Sequence, residues 1–517
     1  MLHFGQLVRH NGKVKPDAVA FADGDRSVTW AAFDRRTDAL AHALHDLGVA
    51  AGERVAMLAN DCIEVAELFV ACTKLGAIRV GINARLAARE VAHLLDDSGA
   101  SVLVIQAGLA AVAAQAIAQA RQAPRQIGFA GGHPFPHDLE ALVAAGEDAG
   151  AFDDRPHETA MLAYTTGSTG LPKGAMYPHQ AMLRSMLYIA LAEGMRRDDV
   201  ILHAMPAGGI PIMHMLRNLF HANKTAIVGP WDAERTLALI ERERASITVL
   251  VPTQLTALLA SPRFDGHDLG SMRQIGYGAA PLPPATIREG MARFGCDFLQ
   301  MYGTTELMGM AMMLYPADHV AALAGHPEVL ASAGQPLPFV ETRIADDAGH
   351  AVAPGETGEL LVRSEFTIPA YWRAPGQYAE TVRDGWLHTG DMARQDAAGY
   401  IYLGDRAKFR IKTGGYNVFP TEVENMLAEH PAVHEVCVVG LADPTWGERI
   451  HAVVTLQPGA ATTTQDLRDF CRGKIADFKV PKAIDIWPEL PKGATGKILK
   501  RAVIGHYAVP PDDGAEP

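Results

Sequence analysis

The chain has 517 residues, 48% hydrophobic, 20% charged and 7% aromatic, a make-up that excludes disordered, collagenous and coiled-coil classes. Single cores stop growing near about 250–300 residues, so at least two domains are expected. The formal charge of −13 excludes a global basic field that would steer the protein to nucleic acid or an anionic membrane, so an anionic ligand must be met by local cations. Five cysteines, Cys62, Cys72, Cys296, Cys437 and Cys471, are widely spaced and never paired as C-x-x-C, which suggests neither a disulfide framework nor a zinc site and points to a reducing compartment. The opening residues lack the apolar stretch of a signal peptide, and no run of about 18 apolar residues follows. A cytoplasmic location without integral membrane association is expected.

From Val28 the pattern alternates between helical and strand periods. Thr29 is placed to cap a helix carrying Phe33, Leu40, Leu44 and Leu47 at three-to-four spacing, with Gly48 to end it. Residues 54–58 read as a short buried strand, 64–75 as a helix stopped by Gly76, 90–95 as a further helix and 102–105 as a strand. Such alternation implies parallel sheets covered by helices, hence an α/β protein. Residues 106–121, rich in Ala and Gln, read as a packing helix. Two stretches, 404–412 and 479–501, concentrate cations late in an acidic chain; by themselves they are as consistent with a solvated face as with function.

The most informative stretch is Thr165-Thr166-Gly167-Ser168-Thr169-Gly170-Leu171-Pro172-Lys173-Gly174. Glycines let backbone N–H groups turn inward, hydroxyls add donors and Lys173 supplies a full charge, a combination suited to a polyphosphate. A Walker A loop would end Gly-Lys-Ser/Thr; here Pro172 precedes the lysine and Gly174 follows it, so that reading fails. Four more motifs follow in order: Gly278-Ala279-Ala280-Pro281-Leu282, Gln300-Met301-Tyr302-Gly303-Thr304-Thr305-Glu306, Gly385-Trp386-Leu387-His388-Thr389-Gly390-Asp391 and Pro491-Lys492-Gly493-Ala494-Thr495-Gly496-Lys497. With the phosphate loop they resemble the motifs of the adenylate-forming superfamily of acyl-CoA synthetases, aryl-CoA ligases, peptide-synthetase adenylation domains and beetle luciferases. The resemblance runs from about Val28 to Arg501, nearly the whole chain.

That resemblance implies a large N-terminal domain (1–406) of sheets flanked by helices, holding the ATP and acyl sites, and a small mobile α+β C-terminal domain (407–517). It implies ATP, Mg²⁺ and CoA as reactants or cofactor. Thr165, Thr166, Gly167, Ser168, Thr169, Gly170 and Lys173 would hold phosphates; Gly278, Ala279, Ala280, Tyr302 and Gly303 would form the adenine wall; Asp391, assisted by Arg406, would take the ribose. Thr305 would bond the α-phosphate and Glu306 would ligate Mg²⁺, whereas Glu306 alone reads as a helix-start residue. Lys497 would be the catalytic lysine, reaching between the substrate carboxylate and the α-phosphate. Lys408 stands at the family's hinge, and Lys412 with Gly414 and Gly415 would line the pantetheine path.

The acyl group should lie among Gly208, Gly209, Met213, Tyr277, Met308, Gly309 and Met310, nearly all small or apolar. Gly208 and Gly209 replace the aromatic or His of many relatives and put the usual gating residue in doubt. His214, among Met and Leu, reads as a satisfied core histidine. No Asp suited to an amino-acid ammonium appears in 205–216, so a hydrophobic monocarboxylic acid is expected: a medium or longer fatty acid, or an aryl-alkanoic or cinnamate-like acid. An AMP-forming acid–CoA ligase is the first reading. A ligase that loads the acyl group onto a carrier protein's phosphopantetheine is the alternative, opposed by the lack of an insertion between Asp391 and Lys408. Luciferase-like oxygenation shares every motif, and a non-enzymatic relative predicts decay of Lys497 and Glu306, both of which are present. Family members occur as monomers and dimers, so a homodimer is compatible.

Overall fold

The computed structural model describes residues 3–165, 172–280, 282–346, 348–406, 409, 411–413, 416–418, 420–472, 474–475, 477–493 and 498–508, with backbone only at 405, 406, 416, 417 and 508. The chain divides into two compact units, Met1–Glu341 with Val362–Leu387, and Thr342–Leu361 with His388–Pro517. This division follows packing. The expected hinge, Lys408, and the expected boundary at 406/407 concern rotation rather than packing, and Lys408 lies outside the described residues.

In the first unit strand and helix alternate as the sequence periods imply. Thr29 caps Trp30–Asp46, its hydroxyl accepting from the Ala32 N–H, and the helix buries Phe33, Leu40 and Leu44. Arg54–Ala59 and Ile78–Asn83 lie parallel, joined by Ile63–Leu75, a helix buried along its whole length. Its charged residues are therefore paired: Glu64 with Arg26 at 2.5 Å, Glu67 with Arg36 at 2.6 Å, and Lys74 with both Asp34 and Asp38 at 2.7 Å, since an unpaired buried charge would be costly. The Ala-rich stretch forms the helix Ala110–Gln119, which buries Ala113 and Ala116.

Among the described residues these elements build two large sheets. One has seven strands, parallel except that Lys173–Pro178 runs antiparallel to Thr159–Thr165. The other has nine, with a parallel centre that includes Val200–His203, Ile247–Leu250, Gln274–Gly278 and Asp297–Tyr302, and antiparallel edges. Thr165, Gly278 and Tyr302 each end a strand. Carboxyl ends of strands are where open α/β sheets bind ligands.

The second unit holds a mixed sheet of Ile411–Thr413, Tyr416–Val418, Val433–Asp443, Gly447–Leu456 and Ala483–Ile486, packed with the helices Pro420–Ala428 and Thr464–Cys471 around Val423, Leu427, Val438, Ala452 and Leu467. Several cations of the 479–501 stretch are structural: Lys479 pairs with Glu422, Lys492 with Glu435 at 2.7 Å and Lys500 with Glu424 at 2.9 Å. No helix among the described residues is long and apolar enough to cross a membrane.

Candidate functional site

The strands on either side of residues 166–171, Thr159–Thr165 and Lys173–Pro178, pair antiparallel. Thr165 and Lys173 are directly opposed partners across the antiparallel pair; Thr166, Gly167, Ser168, Thr169 and Gly170 lie outside the described residues. Residues 370–372 add a short bridge to the Lys173 strand, Met176 N–H donating to the Ala370 carbonyl at 3.1 Å and Trp372 N–H to Gly174 at 2.7 Å. This seats the Tyr371 ring 5.3 Å from the Lys173 ammonium, within cation–π range.

Tyr371 then reaches the next motif. Its hydroxyl donates to Glu306 Oε1 at 2.7 Å, while the Ile368 N–H donates to the Glu306 carbonyl at 2.8 Å. Burial, followed by the Glu306 charge, raises the Tyr371 phenol above its ordinary range, so it stays a donor to a carboxylate. Tyr177, on the Lys173 strand, donates to the Thr305 carbonyl at 2.7 Å. Thr305 and Glu306 occupy a single 3₁₀ turn, Thr305–Leu307, followed by Met308 at φ +48°. The chain then recrosses itself so tightly that a Cβ on Gly303 would lie 1.8 Å from the Gly309 carbonyl oxygen. Only glycine fits there. Tyr302 is partly exposed at the end of its strand, and Gly278 lies against the Met301 carbonyl of the neighbouring strand, where a Cβ would come within 2.2 Å. Ala279 has φ +66°, and Ala279 and Ala280 are exposed. A non-glycine residue held in that region is strained.

The same turn borders an apolar cleft of about 230 Å³, its open mouth included, whose lining has Met213, Gly309 and Met310 from the expected acyl set, and adds Met186, Ile189, Ile210, His214 and Arg217. Gly208 instead packs on the strand Ile78–Asn83, where a Cβ would meet the Asn83 nitrogen at 2.9 Å; Gly209 has nothing within 4 Å of such an atom. Tyr277 and Met308 are placed in the core: the Tyr277 hydroxyl is 2.9 Å from His319 Nε2, and Met308, fully buried, accepts through its carbonyl from Ser185 Oγ at 2.8 Å. His214 is buried as expected, but its Nδ1 has no partner among the described residues, so it is not a satisfied core histidine.

In the second unit, Asp391 stands opposite Arg406 in register. Its turn is tied down by Glu359, whose carboxylate accepts from the Gly390 N–H and faces His388 Nδ1, both at 3.0 Å. Lys412 is exposed between buried Ile411 and Thr413, its N–H donating to Glu448 at 2.6 Å. Lys408, Gly414, Gly415 and Lys497 lie outside the described residues, as does the side chain of Arg406. No cluster of three or more metal-ligating side chains occurs among the described residues. Sequence reading missed Tyr371, Tyr177 and Arg217. Only Arg217 had a local signal, a cation inside the apolar run 212–219.

The sequence matches the AMP-binding enzyme family over residues 8–372 and the AMP-binding enzyme C-terminal domain over 422–497. It is 36% identical to an indoleacetate–CoA ligase of Aromatoleum aromaticum, covering 95% of each chain. It is 32% identical to a fatty acid–[acyl-carrier-protein] ligase of Streptomyces coeruleorubidus, covering 96% of this chain and 95% of the relative. Among solved structures it resembles an amide bond synthetase from Marinactinospora thermotolerans, with a TM-score of 0.88 at 29% identity over 98% of this chain and all of that one.

Proposed function

The chain belongs to the AMP-binding enzyme family, and on that premise we propose that it is an AMP-forming acid–CoA ligase acting on a hydrophobic carboxylic acid. Activating a carboxylate brings its oxygen against the α-phosphate of ATP, two anions whose repulsion must be neutralised, so electrostatic stabilisation carries the step. The observation that supports the reading is that one turn serves both ends of this chemistry. Glu306, fixed through Tyr371 beside Lys173, and Gly309-Met310, walling the apolar cleft, are three to four residues apart.

In this reading Lys173 and the loop 166–170 take the phosphates, Thr305 the α-phosphate, Tyr302 and Gly278-Ala279-Ala280 the adenine, and Asp391 with Arg406 the ribose. Glu306 would hold a Mg²⁺ together with phosphate oxygens and water; the ion would neutralise phosphate charge. Lys497 would neutralise the charge that develops between carboxylate and phosphorus, and the C-terminal domain would rotate about Lys408 to bring Lys412, Gly414 and Gly415 to the pantetheine of CoA. The apolar lining of the cleft suits a hydrophobic acid, either a medium or longer fatty acid or an aryl-alkanoic or cinnamate-like one. The carrier-protein alternative is not weakened by a missing insertion, because a relative named as such a ligase aligns over 95% of its own length.

Pyrophosphate release across a panel of carboxylic acids, with and without CoA, tests the proposal. CoA-dependent turnover with AMP as product is expected. Lys497→Ala should lower acyl-AMP formation by about 10²–10³ while leaving thioester formation from supplied acyl-AMP much less affected. Equal loss of both half-reactions would remove Lys497 from that role, and release with no response to CoA would favour another acceptor.

A further inference from the structure

The turn that leads into Asp391 is pinned, residue by residue, to one neighbouring strand, Thr357–Ser364. The Glu359 carboxylate takes His388 Nδ1 on one oxygen and the Gly390 N–H on the other, each at 3.0 Å. Between them the Thr389 hydroxyl donates to the Leu360 carbonyl at 2.7 Å and accepts from the Asp391 N–H at 3.1 Å. Gly390 has φ +71°, so the chain bends through the left-handed region directly before Asp391. The strand that holds these pins is itself seated without slack. A Cβ at Gly358 would lie 2.3 Å from the Ala345 carbonyl oxygen, on the strand Val340–Ala345, and Leu360 is fully buried.

A glutamate suits this place because both of its oxygens only accept, and they can serve two donors at once. All three residues before Asp391 are thereby fixed from outside the turn, while Asp391 itself is partly exposed and stands opposite Arg406 in register. A carboxylate that is to accept from ribose hydroxyls has to be held closely, since a misplacement of about 1 Å can cost on the order of a hundredfold. Glu359, with two of the pins, supplies most of that constraint.

Resting on the ligase reading above, and within it on Asp391 as the ribose-binding carboxylate, we propose that Glu359 is a positioning residue that acts through Asp391 and sets the preference for a ribonucleotide over a deoxyribonucleotide. The test uses the full chain with Mg²⁺, CoA and an acid that it turns over, and either ATP or 2′-deoxy-ATP as the nucleotide. The wild type should prefer ATP by about tenfold to a hundredfold in kcat/KM, the worth of one hydrogen bond to a charged group. Glu359→Leu, which removes both acceptors, should bring this ratio toward one while KM for the acid is unchanged. Glu359→Gln, which keeps the shape and one acceptor, should fall between, and reads the same effect if the leucine variant does not fold. Each ratio compares two nucleotides on one preparation, so the folded fraction cancels. A ratio that neither variant lowers, whatever the loss of overall activity, makes Glu359 a structural residue only and overturns the proposal, as does a wild-type ratio of one. Asp391→Ala separates this failure from that of the reading beneath it. If Asp391→Ala abolishes the preference and the Glu359 variants do not, the ribose assignment stands and the inference alone falls; if Asp391→Ala keeps the preference, the assignment falls and the inference with it. Absence of pyrophosphate release with every acid removes the ligase reading itself.

Discussion

Two faces of one short stretch, residues 302–310, are built on opposite principles. On the phosphate side Tyr371 bonds the Glu306 carboxylate, Tyr177 the Thr305 carbonyl and the Ile368 N–H the Glu306 carbonyl, while Thr304 Oγ1 is buried without a hydrogen-bond partner among the described residues. Around the apolar cleft that Gly309 and Met310 help to line, His214 Nδ1 and Arg217 Nε, from another part of the chain, have no hydrogen-bond partner among the described residues. A closed network holds one geometry and suits charge stabilisation that must not reorganise during reaction. An open one is a standing cost that a ligand can relieve, which suits selection among substrates. On the proposed function, charge stabilisation would fall to the first set of contacts and the choice of acid to the second.

The largest effect should come from breaking the frame that joins the two faces. Gly303→Ala would drive a Cβ to 1.8 Å from the Gly309 carbonyl oxygen, so the turn must move and both faces with it. We expect destabilisation above about 4 kcal/mol, in the range where single substitutions are diagnostic, read as a shift of the denaturation midpoint. A near-native midpoint would mean that the two faces are not coupled through this crossing.

Next in size is the closed face itself. Tyr371→Phe removes one hydrogen bond to a charged group, worth about 1.5–3 kcal/mol, and on the proposed function should slow adenylation by roughly tenfold to a hundredfold while KM for the acid changes little. Because the phenol is held above its usual range, the wild-type rate should show no break from Tyr371 between pH 6 and 9. An unaltered rate in the variant would mean that Glu306 needs no positioning.

Acid titrates the open face. Burial lowers His214 to about 3 and His179, which accepts the Phe4 N–H at 3.1 Å, to about 4. Unfolding raises each toward about 6.5, so the unfolded chain binds more protons and the stabilisation is lost as pH falls below that value. The slope should approach 1.4 kcal/mol per pH unit for each group between about pH 6 and 4. His214→Leu should flatten it by one group's share in denaturant titrations across that window. An unchanged slope would mean that His214 is protonated in the fold.

Which of these features could be read from sequence follows from how far the contacts reach. Caps and stops act within four residues, so Thr29 and the helix it starts, the buried helix before Gly76 and the strands around it were legible. Thr305 and Glu306 stand side by side in sequence, and the single 3₁₀ turn that holds both needs no distant contact to be anticipated. Tyr371 was not: it meets Glu306 across 65 positions of sequence, and Tyr177 meets Thr305 across 128, with no local pattern to announce either. His214 was misread because an apolar neighbourhood implies burial but says nothing about partners. Tyr277 and Met308 lie in the right stretches yet face the core, since sequence places a segment at a site without saying which way each side chain turns.

The smallest effect separates the two adjacent glycines Gly208 and Gly209. At Gly208 a Cβ would press on the Asn83 backbone at 2.9 Å, and the Gly208 carbonyl in turn leaves no space for a Cβ at Gly81, which would sit 2.3 Å from it. That glycine is demanded by sheet packing. At Gly209 no atom lies within 4 Å of an added Cβ and φ is not in the left-handed region, so nothing in the fold requires glycine. Gly209→Ala should therefore keep stability within about 0.5 kcal/mol, whereas Gly208→Ala should cost more than about 1 kcal/mol. If Gly209→Ala also leaves kcat/KM unchanged for every acid in the panel, the residue lies off the acyl path and the missing bulk has no bearing on selection. A change that tracks substituent size would instead place Gly209 at the cleft's entrance, and would assign the two adjacent glycines to the two roles, frame and opening, that this stretch keeps apart.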